Sequence, residues 1–142
     1  MRIRDFRIED YDAVTALWTA AGLPFRPNGR DRREPVAREI EGDRALSLVA
    51  EEGPRIVGVV FGTHDGRKGW INRLAVAPDL RRRGLAKALV GEVEARLRRL
   101  GIGIVGCLIE QENRVSQAAF AELGYKRHPE IIYYAKRFTA EP

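Results

Sequence analysis

The strongest constraint on the fold of this chain is an apolar stripe between Leu85 and Leu100. Apolar residues recur there every three or four positions, with charged residues between them; they are Leu85, Leu89, Val90, Val93, Leu97 and Leu100. A helix with this pattern is stable when its apolar face packs against another layer. Segments 45–51, 55–63 and 70–77 precede it, are rich in strand-forming residues and are separated by turns. We therefore predict that the helix covers a sheet of antiparallel strands.

Shorter elements complete the predicted order. They are a strand at Ile3–Arg7, a helix from Glu9-Asp10 to Gly22, a loop from Leu23 to Pro35, a short helix at Val36–Glu41, a strand at Ile104–Glu110, a helix from Asn113 to Leu123 and a closing strand at Ile131–Phe138. No repeat interrupts this order. The sequence predicts a single α/β domain, residues 1–142, with a mixed, mostly antiparallel sheet flanked by helices.

Composition excludes several classes of protein. The 142 residues are 44% hydrophobic and 32% charged, which argues against a disordered chain. No apolar run approaches the ~20 residues that a membrane span needs. The first residues lack the apolar stretch of a secretion signal, so we expect a cytoplasmic protein. Cys107 and the two histidines offer neither a disulfide nor metal-ligand spacing, so no metal site is expected.

Net charge alone does not indicate a nucleic-acid-binding protein. The chain has 25 Lys and Arg residues against 20 Asp and Glu residues, a formal charge of +5, which allows weak and salt-sensitive contact. Aromatic residues make up only 8% of the chain, and none lies among the arginines at 81–83. We therefore expect no specific nucleic-acid partner.

A basic turn joins the strand at residues 70–77 to the long helix. It contains Arg81, Arg82 and Arg83, followed by Gly84 at the start of the helix. Such a turn can present unpaired backbone N–H groups and the positive end of a helix dipole to a phosphate. The alternative is an arginine-rich helix start that merely faces water. Neither a Walker loop nor a three-glycine dinucleotide fingerprint is present, which leaves the pyrophosphate of another cofactor.

The same residues resemble the GNAT acetyltransferase superfamily. Its acetyl-CoA signature, Arg/Gln-x-x-Gly-x-Gly/Ala, matches residues 81–86, and the resemblance extends to residues 74–78 and to the motif from Asn113 to Tyr125. A narrower likeness, to small bacterial members of the YpeA type, rests on the turn Asp65-Gly66-x-x-Gly69. The family resemblance implies a sheet that splays open between its fourth and fifth strands.

The resemblance also implies acetyl-CoA as the cofactor and assigns its contacts. Backbone amides from Arg82 to Lys87 would hold the pyrophosphate, backbone groups near Leu74 would pair with the pantetheine arm, and α-helical residues after Asn113 would line the wall. The implied cofactor-binding residues are Leu74, Ala75, Val76, Arg81, Arg82, Arg83, Gly84, Leu85, Ala86, Lys87, Asn113, Ser116 and Phe120.

Two departures from the family pattern concern catalysis. Many members have a tyrosine that protonates the departing thiolate where this chain has Phe120, so Tyr133, Tyr134 or a water would have to replace it. Some members have a carboxylate where this chain has Asn72 and Arg73. Glu110 is the nearest candidate base, ahead of Asp65 and His64, although a glutamate at a strand end is also typical of a solvated surface. Cys107 is interpreted as a small core residue rather than a nucleophile.

The resemblance also implies an acetyltransferase whose acceptor is a primary amine, on a small molecule or on a protein N-terminus or lysine. In the family it lies under the loop between the first two helices, which points here to Phe25, Arg26, Arg30 and Asn72. Arg26 or Arg30 could bind an acidic group of the acceptor, or could serve only solubility.

Two alternatives stay open at this stage. Phe120 and Asn72 suggest a non-catalytic acyl-CoA-binding module, which a search for steady CoA release with a panel of amines would separate from an enzyme. Family members also form dimers through their last strands, which leaves a homodimer open.

Overall fold

A computed structural model describes residues 1–42, 44–140 and 142. The strands are β1 (Arg2–Asp5), β2 (Leu48–Glu52), β3 (Arg55–His64), β4 (Gly69–Val76) and β5 (Val105–Cys107). The helices are α1 (Tyr11–Ala20), α2 (Arg33–Glu41), α3 (Leu85–Arg99) and α4 (Arg114–Glu122), with 3-10 turns at Ile8–Asp10 and Pro78–Leu80. Within this part of the chain, no helix combines the length and apolar character that crossing a bilayer requires.

The five strands form one sheet in the order β1-β2-β3-β4-β5. Neighbouring strands from β1 to β4 are antiparallel, and β5 alone runs parallel to its neighbour β4. This confirms the predicted mixed, mostly antiparallel α/β fold.

The sheet is covered on both faces. On β3, Gly58 and Gly62 lie under α3, whereas Phe61 packs edge-to-face against Trp18 of α1. Alternate residues of a strand point to opposite faces, so α1 and α3 lie on opposite sides of the sheet. Trp18 is fully buried, and Phe61 is nearly so, which makes this strand the centre of the core.

Glycines bring α3 unusually close to the sheet. A Cβ built on Gly58, Gly62 or Gly69 would lie 2.8, 2.9 and 2.5 Å from side-chain carbons of three α3 residues spaced four apart, namely Leu89, Val93 and Leu97. The apolar stripe therefore packs directly on strand backbone. The predicted helix at Leu85–Leu100 is confirmed, and its register is fixed by these contacts.

β5 is shorter than the predicted strand at Ile104–Glu110. Its parallel ladder pairs Gly69 with Val105 and ends at Ile71 with Cys107. The pairing of β3 with β4 shifts register at the same point, because Gly62 pairs with Ile71 and Phe61 with Arg73, leaving Asn72 as a bulge. A bulge increases local twist, so β5 diverges from β4 beyond it. This confirms the splay between the fourth and fifth strands.

The predicted closing strand at Ile131–Phe138 is wrong for the isolated chain. These residues are neither helical nor part of the sheet, and their large apolar side chains are exposed. The composition favours a strand, but a strand forms only with a neighbouring edge to pair with, and the described residues of this chain do not bring one to it.

We predict opposite effects for two glycine-to-alanine changes near α3. Gly62→Ala places a methyl group 2.9 Å from Val93 and 3.0 Å from the backbone oxygen of Leu46, so overpacking should lower the free energy of unfolding by about 1–3 kcal/mol. Gly91→Ala, at an open position within α3, should raise it by about 0.5–1 kcal/mol. Urea unfolding of both variants measures this, and equal effects would show that the contact is not tight.

Candidate functional site

The turn between β4 and α3 adopts an unusual backbone conformation. Arg82 has a φ of +67° and is the only non-glycine residue with positive φ in the described chain. Gly84, at the N-cap of α3, has a φ of +77°. A side chain in the left-handed region costs about 1–2 kcal/mol, and such strain is concentrated at functional sites.

This turn leaves a run of backbone donors free. Within the described residues, no N–H group from Arg81 to Lys87 donates a hydrogen bond, and the first helical bond runs from Ala88 N to Gly84 O at 3.0 Å. No side chain caps the helix. Left-handed residues next to a helix N-terminus direct successive N–H groups into one concavity, which suits an anion.

Charges around the turn favour the same ligand. Arg81, Arg82, Arg83 and Lys87 are exposed and form no ion pair within the described residues. The nearby carboxylate of Asp79 is engaged by Arg55 through two hydrogen bonds of 2.9 and 2.8 Å, which lower the Asp79 pKa to about 2. The local field is therefore positive.

A slot opens beside the second half of β4. The β5 ladder ends at Ile71, so residues from Asn72 to Val76 have no strand on that side. Leu74, Ala75 and Val76 pair only with β3, at Val60, Val59 and Gly58. The slot thus exposes an unpaired strand edge that leads to the turn at the start of α3.

The residues of the α4 motif form a capped helix start and a buried aromatic pair. Asn113 accepts a hydrogen bond from Ser116 N at 3.1 Å, so its side-chain oxygen caps α4. Phe120 is buried and packs edge-to-face on Tyr125, with ring centroids 5.1 Å apart. Tyr125 donates to Glu94 of α3 at 2.8 Å, and burial together with this carboxylate raises the Tyr125 pKa.

A groove of about 400 Å³ runs between α3 and the end of α4. Its lining residues are Lys87, Val90, Gly91, Glu94, Glu122, Leu123 and Gly124. Lys87, the last residue of the free-amide turn, is also one of the residues that line this groove.

The loop between α1 and α2 is anchored to β4 by Arg73. Its guanidinium donates to Asp31 at 2.6 Å and to Pro24 O at 2.7 Å, and lies 4.7 Å from the centroid of the Trp18 ring. Asp31 is buried and also accepts from Arg26 N. Burial lowers the Arg73 pKa, with Asp31 opposing the shift.

The structure places the predicted acceptor residues around this anchor. Phe25 packs against Trp18 with centroids 5.8 Å apart, Arg26 is half-buried and Arg30 is exposed. Asn72 is exposed at the bulge, next to Arg73. Sequence reasoning missed Asp31, although an arginine in a central strand signals that a buried partner is needed.

The structure does not bring the candidate catalytic residues together in one site. Glu110 is exposed three residues beyond β5, and its backbone oxygen accepts from Asn113 N at 3.0 Å. Tyr133 is 70% exposed in the C-terminal segment, away from the sheet. Cys107 is half-buried against the core, and burial raises its pKa, so its thiol is not an activated nucleophile.

His64 and Asp65, the weaker base candidates, stabilise a turn. Asp65 accepts from the N–H groups of Arg67 and Lys68 at 2.9 and 2.8 Å, and His64 Nδ1 accepts from Gly66 N at 3.1 Å. The turn motif Asp65-Gly66-x-x-Gly69 therefore has a folding role. No cluster of three His, Cys, Asp or Glu residues suited to a metal occurs in the described chain.

Comparison with models of known protein families identifies the family of this chain. The model of the acetyltransferase (GNAT) family matches residues 11–125. The chain belongs to the GNAT acetyltransferase family. Enzymes of this family use acetyl-CoA as the acetyl donor, and the matched region contains both the turn and the α4 motif of this GNAT chain.

Solved structures share the GNAT fold at low sequence identity. PaiA N-acetyltransferase from Thermoplasma acidophilum, in complex with coenzyme A, is 21% identical over 88% of this chain and 89% of its own, with a TM-score of 0.78. Aminoglycoside 6'-N-acetyltransferase AAC(6')-IG from Acinetobacter haemolyticus is 16% identical over 98% and 100%, with a TM-score of 0.81. The ribosomal-protein-S18-alanine N-acetyltransferase of Escherichia coli is 19% identical over 87% and 76%, with a TM-score of 0.71.

We predict that the Arg73 anchor is a large contributor to the stability of this GNAT domain. Asp31→Ala leaves a buried guanidinium without its carboxylate and should lower the free energy of unfolding by about 3–5 kcal/mol. Asp79→Ala removes the solvent-exposed ion pair between Arg55 and Asp79 and should have a much smaller effect. Urea unfolding compares the two, and equal losses would contradict the proposed importance of burial.

Proposed function

We propose that this GNAT enzyme transfers the acetyl group of acetyl-CoA directly to a primary amine. The observation that carries the proposal is the row of unpaired N–H groups at Arg82–Lys87, held by left-handed Arg82 and Gly84. A pyrophosphate accepts several hydrogen bonds and carries negative charge, which this turn and its arginines complement. We assign Arg81, Arg82, Arg83, Gly84, Leu85, Ala86 and Lys87 to it.

The slot beside β4 suits the pantetheine arm. Amide groups of that arm can pair with the unpaired backbone at Leu74, Ala75 and Val76 as an added strand would. The bulge at Asn72 keeps β5 from closing this edge. We assign Asn113, Ser116 and Phe120 to the opposite wall. The capping bond uses the Asn113 oxygen, which leaves its amide N–H groups for the cofactor.

The reaction requires two proton transfers, one from the attacking amine and one to the departing CoA sulfur. A neutral amine forms the new C–N bond, the C–S bond breaks, and the amine loses a proton while the CoA sulfur gains one. A backbone N–H near Leu74 would stabilise the charge that develops on the thioester oxygen. We assign the base to Glu110 and the proton donor to Tyr133, because Asn72 cannot accept the amine proton and Phe120 has no acidic proton to donate.

Charge around the acceptor loop favours an acidic or neutral amine. Arg26, Arg30, Arg32 and Arg33 lie in or next to this loop, whereas the buried Asp31 is already paired with Arg73. A polycationic acceptor, such as the substrate class named for AAC(6')-IG, would be repelled. A small amine that carries a carboxylate, or a peptide amine with acidic neighbours, would be bound between Phe25 and Asn72.

We further propose that residues 1–142 form one domain that acts in the cytoplasm of a bacterium. Within the family, we propose that the chain is related to the YpeA-type members. A single cysteine is consistent with a reducing compartment.

A panel of amines tests the proposed reaction. Steady release of CoA from acetyl-CoA is expected with an acidic or neutral primary amine. The mass of that amine should increase by one acetyl group. Binding of CoA without turnover for any small amine, peptide N-terminus or lysine peptide would instead support a non-catalytic acyl-CoA-binding module. Failure to bind CoA would refute the assignment of the turn.

Two glycines at opposite ends of α3 provide a matched test of the pyrophosphate site. Gly84 and Gly101 have φ values of +77° and +82°, and neither would place a Cβ within 4 Å of another atom. Alanine at either position should lower the free energy of unfolding by about 1 kcal/mol. Only Gly84→Ala should weaken CoA binding, by roughly tenfold, because it misdirects the free amides. Calorimetric titration with CoA measures the affinity of both variants. Equal affinities for CoA would contradict the proposed pyrophosphate site.

Neighbouring glutamates test the proposed base. Glu110→Gln should lower kcat by about 10²–10⁴-fold while leaving CoA affinity unchanged, because the amide cannot accept the amine proton. Glu112→Gln, an equally exposed control two residues away, should retain full activity. If both variants behave as the parent enzyme, the base lies elsewhere.

A further inference from the structure

Four charged side chains lie close together where the loop after α1 joins α2. Arg73 of β4 and the buried Asp31 form an ion pair of 2.6 Å, and Arg30 and Glu39 are near enough to act on it. Arg30 helps to lower the Arg73 pKa, and the carboxylate of Glu39 opposes that shift. We call these four residues the charge cluster.

Only half of the charge cluster is neutralised by direct contact. The guanidinium of Arg73 donates to Asp31 and to Pro24 O, so both members of that ion pair are engaged. Within the described residues, the side chains of Arg30 and Glu39 form no hydrogen bond and no ion pair, either with each other or with that pair. Arg30 nevertheless opposes the rise in the Glu39 pKa, so the two charges are close to each other without being in contact.

The arginines that follow Arg30 are already engaged. Arg32 donates to Gly29 O at 3.0 Å, and the guanidinium of Arg33 lies 5.7 Å from the centroid of the Tyr11 ring. Arg30 is exposed and stays free to bind a ligand beside the unpaired carboxylate.

Glu39 lies in a cleft rather than on an open surface. It follows Val36 by three positions on α2, and Val36 is fully buried, so this face of the helix points toward the core. Side chains on a helix lean toward its N-terminus, which directs the Glu39 carboxylate toward Asp31 and Arg30. Burial is the main cause of the raised Glu39 pKa, and Asp31 adds to it, yet the residue keeps exposed surface. A carboxylate that is crowded by the chain but open to solvent suits a small cation.

We propose that Glu39 and Arg30 together bind a compact zwitterion as the acetyl acceptor, with its ammonium group at Glu39 and its carboxylate at Arg30. This inference rests on the proposed function and narrows the acceptor from primary amines in general to compact zwitterions such as amino acids. A zwitterion supplies one opposite charge to each residue. An amine without a carboxylate leaves Arg30 unpaired, and a polycation is repelled by it, so both are disfavoured.

The charge cluster lies next to the slot assigned to the pantetheine arm. Arg73 directly precedes Leu74 at the edge of that slot, and the same guanidinium holds Asp31. An acceptor at Glu39 is therefore held beside the strand edge that would present the thioester. The ammonium group gives its proton to the proposed base, Glu110, before the nitrogen attacks, and Glu39 stays ionised.

Amino acids and their amides test the role of Arg30. The probes are the standard L-amino acids and the corresponding amino acid amides, titrated calorimetrically at neutral pH into enzyme saturated with CoA. An amide keeps the ammonium group and loses the carboxylate. The preferred amino acid should therefore bind roughly tenfold more tightly than its amide, and Arg30→Gln should remove that difference.

Two glutamates on α2 provide a matched test of the ammonium site. Glu39→Gln should weaken binding of the amino acid and of its amide alike, by roughly tenfold, because both carry the ammonium group. CoA affinity should not change, since Glu39 is assigned no contact with the cofactor. Glu41→Gln, at the exposed end of the same helix, should leave all three affinities unchanged.

The outcomes separate this inference from the proposed function. No binding of any amino acid, equal binding of amino acids and their amides, or equal effects of the two glutamate variants would each overturn the zwitterion site. These titrations measure binding alone. An enzyme that binds amino acids in the expected way but releases no CoA from acetyl-CoA would contradict the proposed transfer while supporting the binding site.

Discussion

The close packing of α3 on β3 and β4 determines the geometry of the candidate site. Because Gly58, Gly62 and Gly69 have no side chains, the helix packs directly on the backbone of the sheet in a single register. Its N-terminal amides are consequently held at the end of β4. Arg82 and Gly84 in the turn before the helix have positive φ, and packing of the helix against the sheet supports this strained backbone.

The bulge at Asn72 is the second feature that determines the geometry of the candidate site, because it separates two parts of β4. Before it, β4 pairs with β5 and belongs to the core; after it, the same strand has a free edge. The ladder therefore ends where the inserted residue lies, and the free edge that follows is the slot to which we assign the pantetheine arm.

Local sequence patterns predicted those elements whose formation depends on residues close together in the sequence. The α3 stripe, the hairpins and the Asn113 cap follow from spacing and capping chemistry. The partner of Arg73 did not, because Asp31 lies 42 residues away and nothing local marks the pair. The closing strand at Ile131–Phe138 was wrong for a related reason: composition reports the tendency to form a strand, whereas pairing requires an edge whose position depends on the whole fold. Likewise, the family resemblance suggested Glu110 and Tyr133 as replacements for missing catalytic groups, but the sequence does not show whether the two side chains lie close together.

The Arg73–Asp31 ion pair connects the two parts of the proposed site, the edge of β4 and the loop between α1 and α2. Arg73 directly precedes Leu74 at the edge of the slot, and its guanidinium holds the loop that contains Phe25 and Arg26. A donor arm that pairs with β4 would stiffen this segment and, through the ion pair, the loop as well. Acceptor affinity should then depend on whether the donor is already bound, which favours an ordered sequence of substrate addition.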